Sequence, residues 1–159
     1  MSYYNADGLR ILTDNDQGAV NNKGISADVD IKTLVVDVDL TSDISAVAND
    51  PFIPAGSYIK SATAIVTEAA AGGTSVNIGL SSLASDGTAT VIDADGIDAG
   101  VLTAALAANK VVECNGVKVG GQAAYDQSTV GTENAYVTTA ASGTYTAGKF
   151  KLVIEYIEV

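Results

Sequence analysis

Lys149-Phe150-Lys151-Leu152-Val153-Ile154-Glu155-Tyr156-Ile157-Glu158-Val159 decides the fold. Phe150, Leu152, Ile154 and Tyr156 occupy alternate positions, and Lys149, Lys151 and Glu155 stand between them. A period of two is that of a β-strand with one dry face and one wet face. A chain end this apolar is seldom frayed, so the spacing predicts a central strand tied into a sheet. Immediately upstream, Ser142 to Gly148 reads as a turn and Ala135-Tyr136-Val137-Thr138-Thr139 as another strand.

The same period returns near the other end. Ile25, Ala27, Val29 and Ile31 alternate with Ser26, Asp28, Asp30 and Lys32; after Thr33, Leu34, Val36, Val38 and Leu40 alternate with Val35, Asp37 and Asp39. So little separates the two runs that they form one long bent strand or a strand with a bulge. A loop from Ser42 to Pro54 holds both prolines and leads into a strand over 55–68. Ala69-Ala70-Ala71-Gly72-Gly73 then predicts a loose hairpin into Val76, Ile78 and Leu80. Asp86-Gly87 precedes a strand at Thr88 to Ile92. Val101 to Ala108, rich in Ala and Leu, predicts a short helix with Asp98 upstream as a cap. Asn115-Gly116, between Val111–Cys114 and Val117–Val119, is a two-residue hairpin signal. About eight strands at short spacing imply an all-β chain, a jelly-roll-like antiparallel β-sandwich with one short helix.

Residues 1–24 stand apart. They are dense in turn signals, and their only apolar knot is Leu9, Ile11 and Leu12, with Tyr3 and Tyr4 upstream. They read either as an extended N-terminal arm that gains order by lying on something else, or as a strand or loop added to the chain's own core. The division is therefore an arm over 1–24 and a sandwich domain over 25–159.

Composition excludes more than it proposes. The 159 residues hold no histidine, no tryptophan and one cysteine, so the usual proton shuttle, the commonest metal ligand and paired-cysteine chemistry are all missing. Without histidine no Ser–His relay forms, and neither Gly72-Gly73 nor Gly120-Gly121 has the spacing of a phosphate loop. The chain reads as no enzyme and as holding no cofactor. Eight basic against 19 acidic residues give a net charge of −11, which argues against nucleic acid as a partner. No apolar run approaches the ~18 residues of a membrane span, and the first residues lack the basic start and apolar middle of a signal peptide. The expectation is a soluble protein made in the cytoplasm.

Three acidic groupings invite chemistry. Asp93, Asp95 and Asp98 surround Gly96 as in a calcium loop, but Gly96 is misplaced for that motif and Ala104 stands where it needs Glu. The plainer interpretation is an acidic turn. Asp28 with Asp30, and Asp37 with Asp39, put carboxylates on one strand face, as a solvated surface that also blunts a sheet edge. Cys114 has no basic neighbour to activate it and reads as a small, half-buried hydrophobe.

From Ile53-Pro54-Ala55-Gly56-Ser57-Tyr58-Ile59 onward, the order of elements resembles the head decoration, or cement, proteins of tailed bacteriophages of the marine and cyanophage type. Asn77-Ile78-Gly79-Leu80, Asp93-Ala94-Asp95-Gly96-Ile97-Asp98-Ala99 and the closing Thr146 to Tyr156 run carry it, over about two-thirds of the chain. The resemblance implies a jelly-roll protein bound to the outer surface of a capsid as a homotrimer, with the major capsid protein as its partner, clamping neighbouring subunits against internal pressure. The alternative is a receptor- or carbohydrate-binding jelly roll of a fibre or surface lectin. A weaker rival is a small hydrolase, which needs two Asp residues in one cleft.

Overall fold

The computed structural model describes residues 3–4, 10–11, 31–120 and 130–158. In chain order the elements are β1 (Tyr3–Tyr4), β2 (Arg10–Ile11), β3 (Ile31–Asp39), β4 (Tyr58–Gly72), β5 (Ser75–Leu83), β6 (Ala89–Leu102), a 3₁₀ turn (Thr103–Ala105), β7 (Val111–Glu113), β8 (Tyr136–Ser142) and β9 (Tyr145–Ile157). β3-β9-β4-β7 form one sheet and β6-β5-β8 a second, with every pairing antiparallel. This is an all-β sandwich of four strands facing three.

β9 lies between β3 and β4, the central position its sequence predicts. Its alternate residues Phe150, Leu152 and Ile154 meet Ile59 and Ala64 of β4, Val76, Ile78 and Leu80 of β5 and Ile97 of β6 in one core. Each of these is at most 2% exposed. Burying a side chain of this kind contributes ~1.5–3 kcal/mol, so small aliphatic residues sustain a core that holds few rings.

The expected hairpin after Ala69 is not one. β4 runs to Gly72 and β5 starts at Ser75, and the two strands belong to different sheets. The link is a tight corner over which the chain crosses the sandwich. β8 and β9 cross beside it through Gly143 and Thr144, and the corners are bonded: Gly73 N–H donates to Thr144 O (2.8 Å) and Thr74 N–H to Ser142 O (2.7 Å). Gly72 has φ +75°, and a Cβ on it would lie 2.5 Å from Thr144 O, which is backbone and cannot swing away.

The expected helix over 101–108 is also corrected. β6 continues through Leu102, because Val76 pairs with Val101 and Ser75 with Leu102. One 3₁₀ turn follows and Leu106 drops into the core. Pairing outweighs the local helix propensity of a short Ala/Leu run. Nor does Asn115-Gly116 make a hairpin, and Val117–Val119 is not a strand. Gly116 N–H bonds Ile97 O (2.9 Å) and Lys118 N–H bonds Gly96 O (2.8 Å). Gly116 packs so closely on Gly96 that no side chain fits there. The run Ile25 to Asp30 lies outside the described residues.

Gly72→Ala should destabilise the protein by about 3 kcal/mol, combining left-handed strain with the backbone clash. Gly87→Ala, at φ +85° with open space around it, should lose only about 1–2 kcal/mol. Urea denaturation of both variants reads the difference.

Candidate interaction surface

The two long sides of the sandwich are built differently. On one, the segment after β6 lies along the outer edge of β4. Leu106 O accepts from Ala70 N–H (2.9 Å), Lys110 O from Val66 N–H (2.9 Å), Ala62 O from Cys114 N–H (2.9 Å) and Ile59 O from Gly120 N–H (3.1 Å). With the bonds of Gly116 and Lys118 to β6, this strap closes both sheets at once.

The opposite side carries β3 and β8. The edge of β8 is covered from its start, where Ile53 and Ala135 exchange two 2.8 Å bonds, to its middle, where Thr139 N–H donates to Ile44 O (3.0 Å). Asp43 Oδ1 accepts from Ala141 N–H at 3.0 Å. Between these closures lies a cleft of about 350 Å³, walled by Val35, Val36, Ile44, Pro51, Tyr136 and Val137. Two carboxylates, Asp37 and Asp50, complete its lining. No strand among the described residues pairs with the outer edge of β3.

The outward face of the four-stranded sheet gathers ion pairs although the chain is acidic. Lys151 pairs with Asp37, Lys149 with Asp39 (3.3 Å), Lys60 with Glu155 (3.2 Å) and Lys32 with Glu158 (2.7 Å). Four of the eight basic residues thus stand on one sheet. Asp37 and Asp39 are the solvated strand face expected from the alternation, and Thr41 donors hold the Asp39 carboxyl below its usual range. Ile31, Val35, Ile65 and Val111 lie exposed among these pairs. Exposed apolar side chains among paired charges make the kind of face that associates.

The residues singled out in the sequence do not all converge. Tyr3 pairs with Ile11 and Tyr4 with Arg10 in the short β1–β2 ladder. Leu9 and Leu12 lie outside the described residues. The loop holding both prolines emerges as part of the site, since Ile44, Asp50 and Pro51 line the cleft. Its signal was present in the apolar residues Ile44, Val47, Phe52 and Ile53, too many for a loop that touches nothing. Phe52 and Tyr136 pack beside the cleft at 5.6 Å with planes tilted by 49°, so they offer a sugar no single flat platform. Asp37 is exposed and tied to Lys151, and is no partner in a buried carboxylate couple.

The Asp93–Asp98 stretch is a strongly bulged part of β6 rather than a turn before a helix: Leu80 faces Asp93 while Ile78 faces Asp98. Asp95 stays exposed, and hydrogen bonding to Asp93 raises its carboxyl above the usual range. Asp98 turns inward and is 7% exposed. Burial raises its carboxyl, while the Cys114 thiol and the N–H groups of Ala99 and Asn115 act in the opposite direction. Among the described residues no three His, Cys, Asp or Glu side chains form a group able to hold a metal. Cys114 is buried rather than half-buried, and desolvation, with Asp98 beside it, pushes its thiol up to about 12.

Two outcomes follow from this pair. Ellman's reagent at pH 8 should leave Cys114 unmodified in the native protein and titrate one thiol per chain in denaturant, since only the thiolate attacks. The folded state holds the Asp98 proton more tightly than the unfolded chain, so stability due to this group is greatest at low pH. It declines as pH rises from the ordinary carboxylate range through the raised value. Asp98→Asn should flatten that part of the stability curve, measured by urea denaturation across pH 3–8.

No protein-family model and no curated protein matches the sequence. A chain in the solved capsid of Ralstonia phage GP4 has a similar fold, with a TM-score of 0.52 over 86% of this chain and 90% of that one, at 13% identity.

Proposed function

We propose that this protein is a non-enzymatic structural component of a phage particle, which decorates the outer capsid surface and stabilises it by clamping neighbouring major capsid subunits. The observation that carries this reading is the fold similarity to a phage capsid chain across most of both molecules. The physical character of the surface supports it. A sheet face of ion pairs with exposed Ile and Val, and a strand edge beside an apolar cleft, are features that bind protein surfaces and extended segments. The net charge of −11 limits non-specific association and disfavours contact with packaged nucleic acid.

In this role the protein assembles as a homotrimer, and Tyr3, Tyr4, Leu9, Ile11 and Leu12 anchor the arm to a neighbour. Its site of action is the virion, reached after synthesis in the host cytoplasm.

Purified protein mixed with empty phage heads should co-sediment with them to saturation and add regular density on electron micrographs. Failure to bind, together with saccharide binding on a glycan array, would reassign the protein to the receptor-binding alternative. Deleting residues 1–24 should weaken head association about tenfold or more while leaving the circular dichroism spectrum unchanged. Equal binding by the shortened chain would remove the arm from the mechanism.

A further inference from the structure

We infer that the cleft between β3 and β8 receives the N-terminal segment of a second copy of this chain. Arg10-Ile11-Leu12 would lie along the outer edge of β3, with Leu12 over the apolar floor and Arg10, on the same strand face, directed to Asp50. This rests on the proposed role of the arm as an anchor and adds the surface that accepts it.

Three observations converge. The first is the receiving surface. The β4 side is bonded from Ala70 to Ile59, and the β8 edge is capped at Ile53, Ile44 and Asp43. Among the described residues, β3 is left as a nine-residue strand with one ladder, to β9. The cleft opens beside it at Val35, Val36 and Asp37, midway along the strand. An edge of this kind takes another strand through main-chain bonds, and an adjacent pocket takes alternate side chains.

The second is charge. Arg10 is the sole arginine of a chain with net charge −11, and it stands beside Ile11 and Leu12. The cleft is apolar with two carboxylates in its lining. Asp37 is taken by Lys151, whereas Asp50 has no basic partner among the described residues. Between copies that otherwise repel, an apolar pair preceded by a cation complements this surface.

The third is reach. Nineteen residues, 12–30, separate Ile11 from Ile31. Extended, they span up to about 60 Å, against a body with a radius of gyration on the order of 15 Å. A neighbour is therefore within range. Each copy would give one segment and fill one cleft, a head-to-tail contact of the kind that forms a ring in the proposed homotrimer.

The test is a reciprocal charge exchange in the full-length protein, read by sedimentation velocity without phage heads. Asp50→Arg and Arg10→Glu should each weaken self-association about tenfold. Mixing the two variants should restore it, because each then finds a complementary neighbour, and the double variant should self-associate alone. A wild type that stays monomeric at tens of micromolar, single variants that associate normally, or a mixture that does not recover would overturn the inference. Recovery in the double variant without recovery in the mixture would place the segment on its own chain, and also overturns it. Head binding is measured separately, so loss of this contact leaves the decoration reading standing or falling on its own assay.

Discussion

The structure depends on a pair of crossings. At Gly73-Thr74 and Gly143-Thr144 the chain leaves one sheet and enters the other, and the crossings hydrogen-bond to each other. β4 and β9, neighbours in the four-stranded sheet, thereby become β5 and β8, neighbours in the three-stranded one. The two sheets are placed by covalent links of two residues each rather than by side-chain packing alone. Ile59, Ala64, Leu152 and Ile154 consequently face Val76, Ile78 and Leu80 across the core. Tyr145 packs beneath the corner, 4% exposed, with its hydroxyl 3.0 Å from Thr103 Oγ1. That contact fastens the end of β6 to the same joint.

Once the sheets are placed, the remaining physical problem is their edges. An open strand edge is a row of unsatisfied donors and acceptors that recruits other chains. This protein closes one side with the strap from Leu106 to Gly120, whose buried Cys114 meets Asp98 of β6. It closes the β8 edge with the proline-bearing loop. The side that carries β3 keeps a cleft, beside a sheet face whose four lysines each pair with a carboxylate. The proposed association surface lies where, among the described residues, the edge is not closed.

Much of this was legible in the residues. Alternation at Phe150-Leu152-Ile154-Tyr156 marked both the strand and its inward face, because a central strand has one dry side whatever its neighbours are. Asp37 and Asp39 announced a wet face for the same reason. The misreadings share a cause. Gly72-Gly73, Asn115-Gly116 and the Ala/Leu run after Val101 each carry a local signal, and in each case a distant strand decided: β8 and β9 at the corner, the β6 bulge at Gly116, and β5 alongside Val101. Local propensities of a kilocalorie or less yield to several ladder hydrogen bonds and a buried side chain.

The cleft was the least legible feature, since its walls come from β3, the loop over Ile44 to Pro51 and β8, which are far apart in sequence. By itself the sequence determined the strand period, the acidic balance, the absence of histidine and hence the narrow range of chemistry open to the chain. These are properties of single residues and their near neighbours. Which strands pair, that the glycine links are corners, that Asp98 is buried against Cys114 and that β3 pairs on one edge alone among the described residues were decided by tertiary structure. Each depends on contacts between segments that nothing in their local sequence brings together.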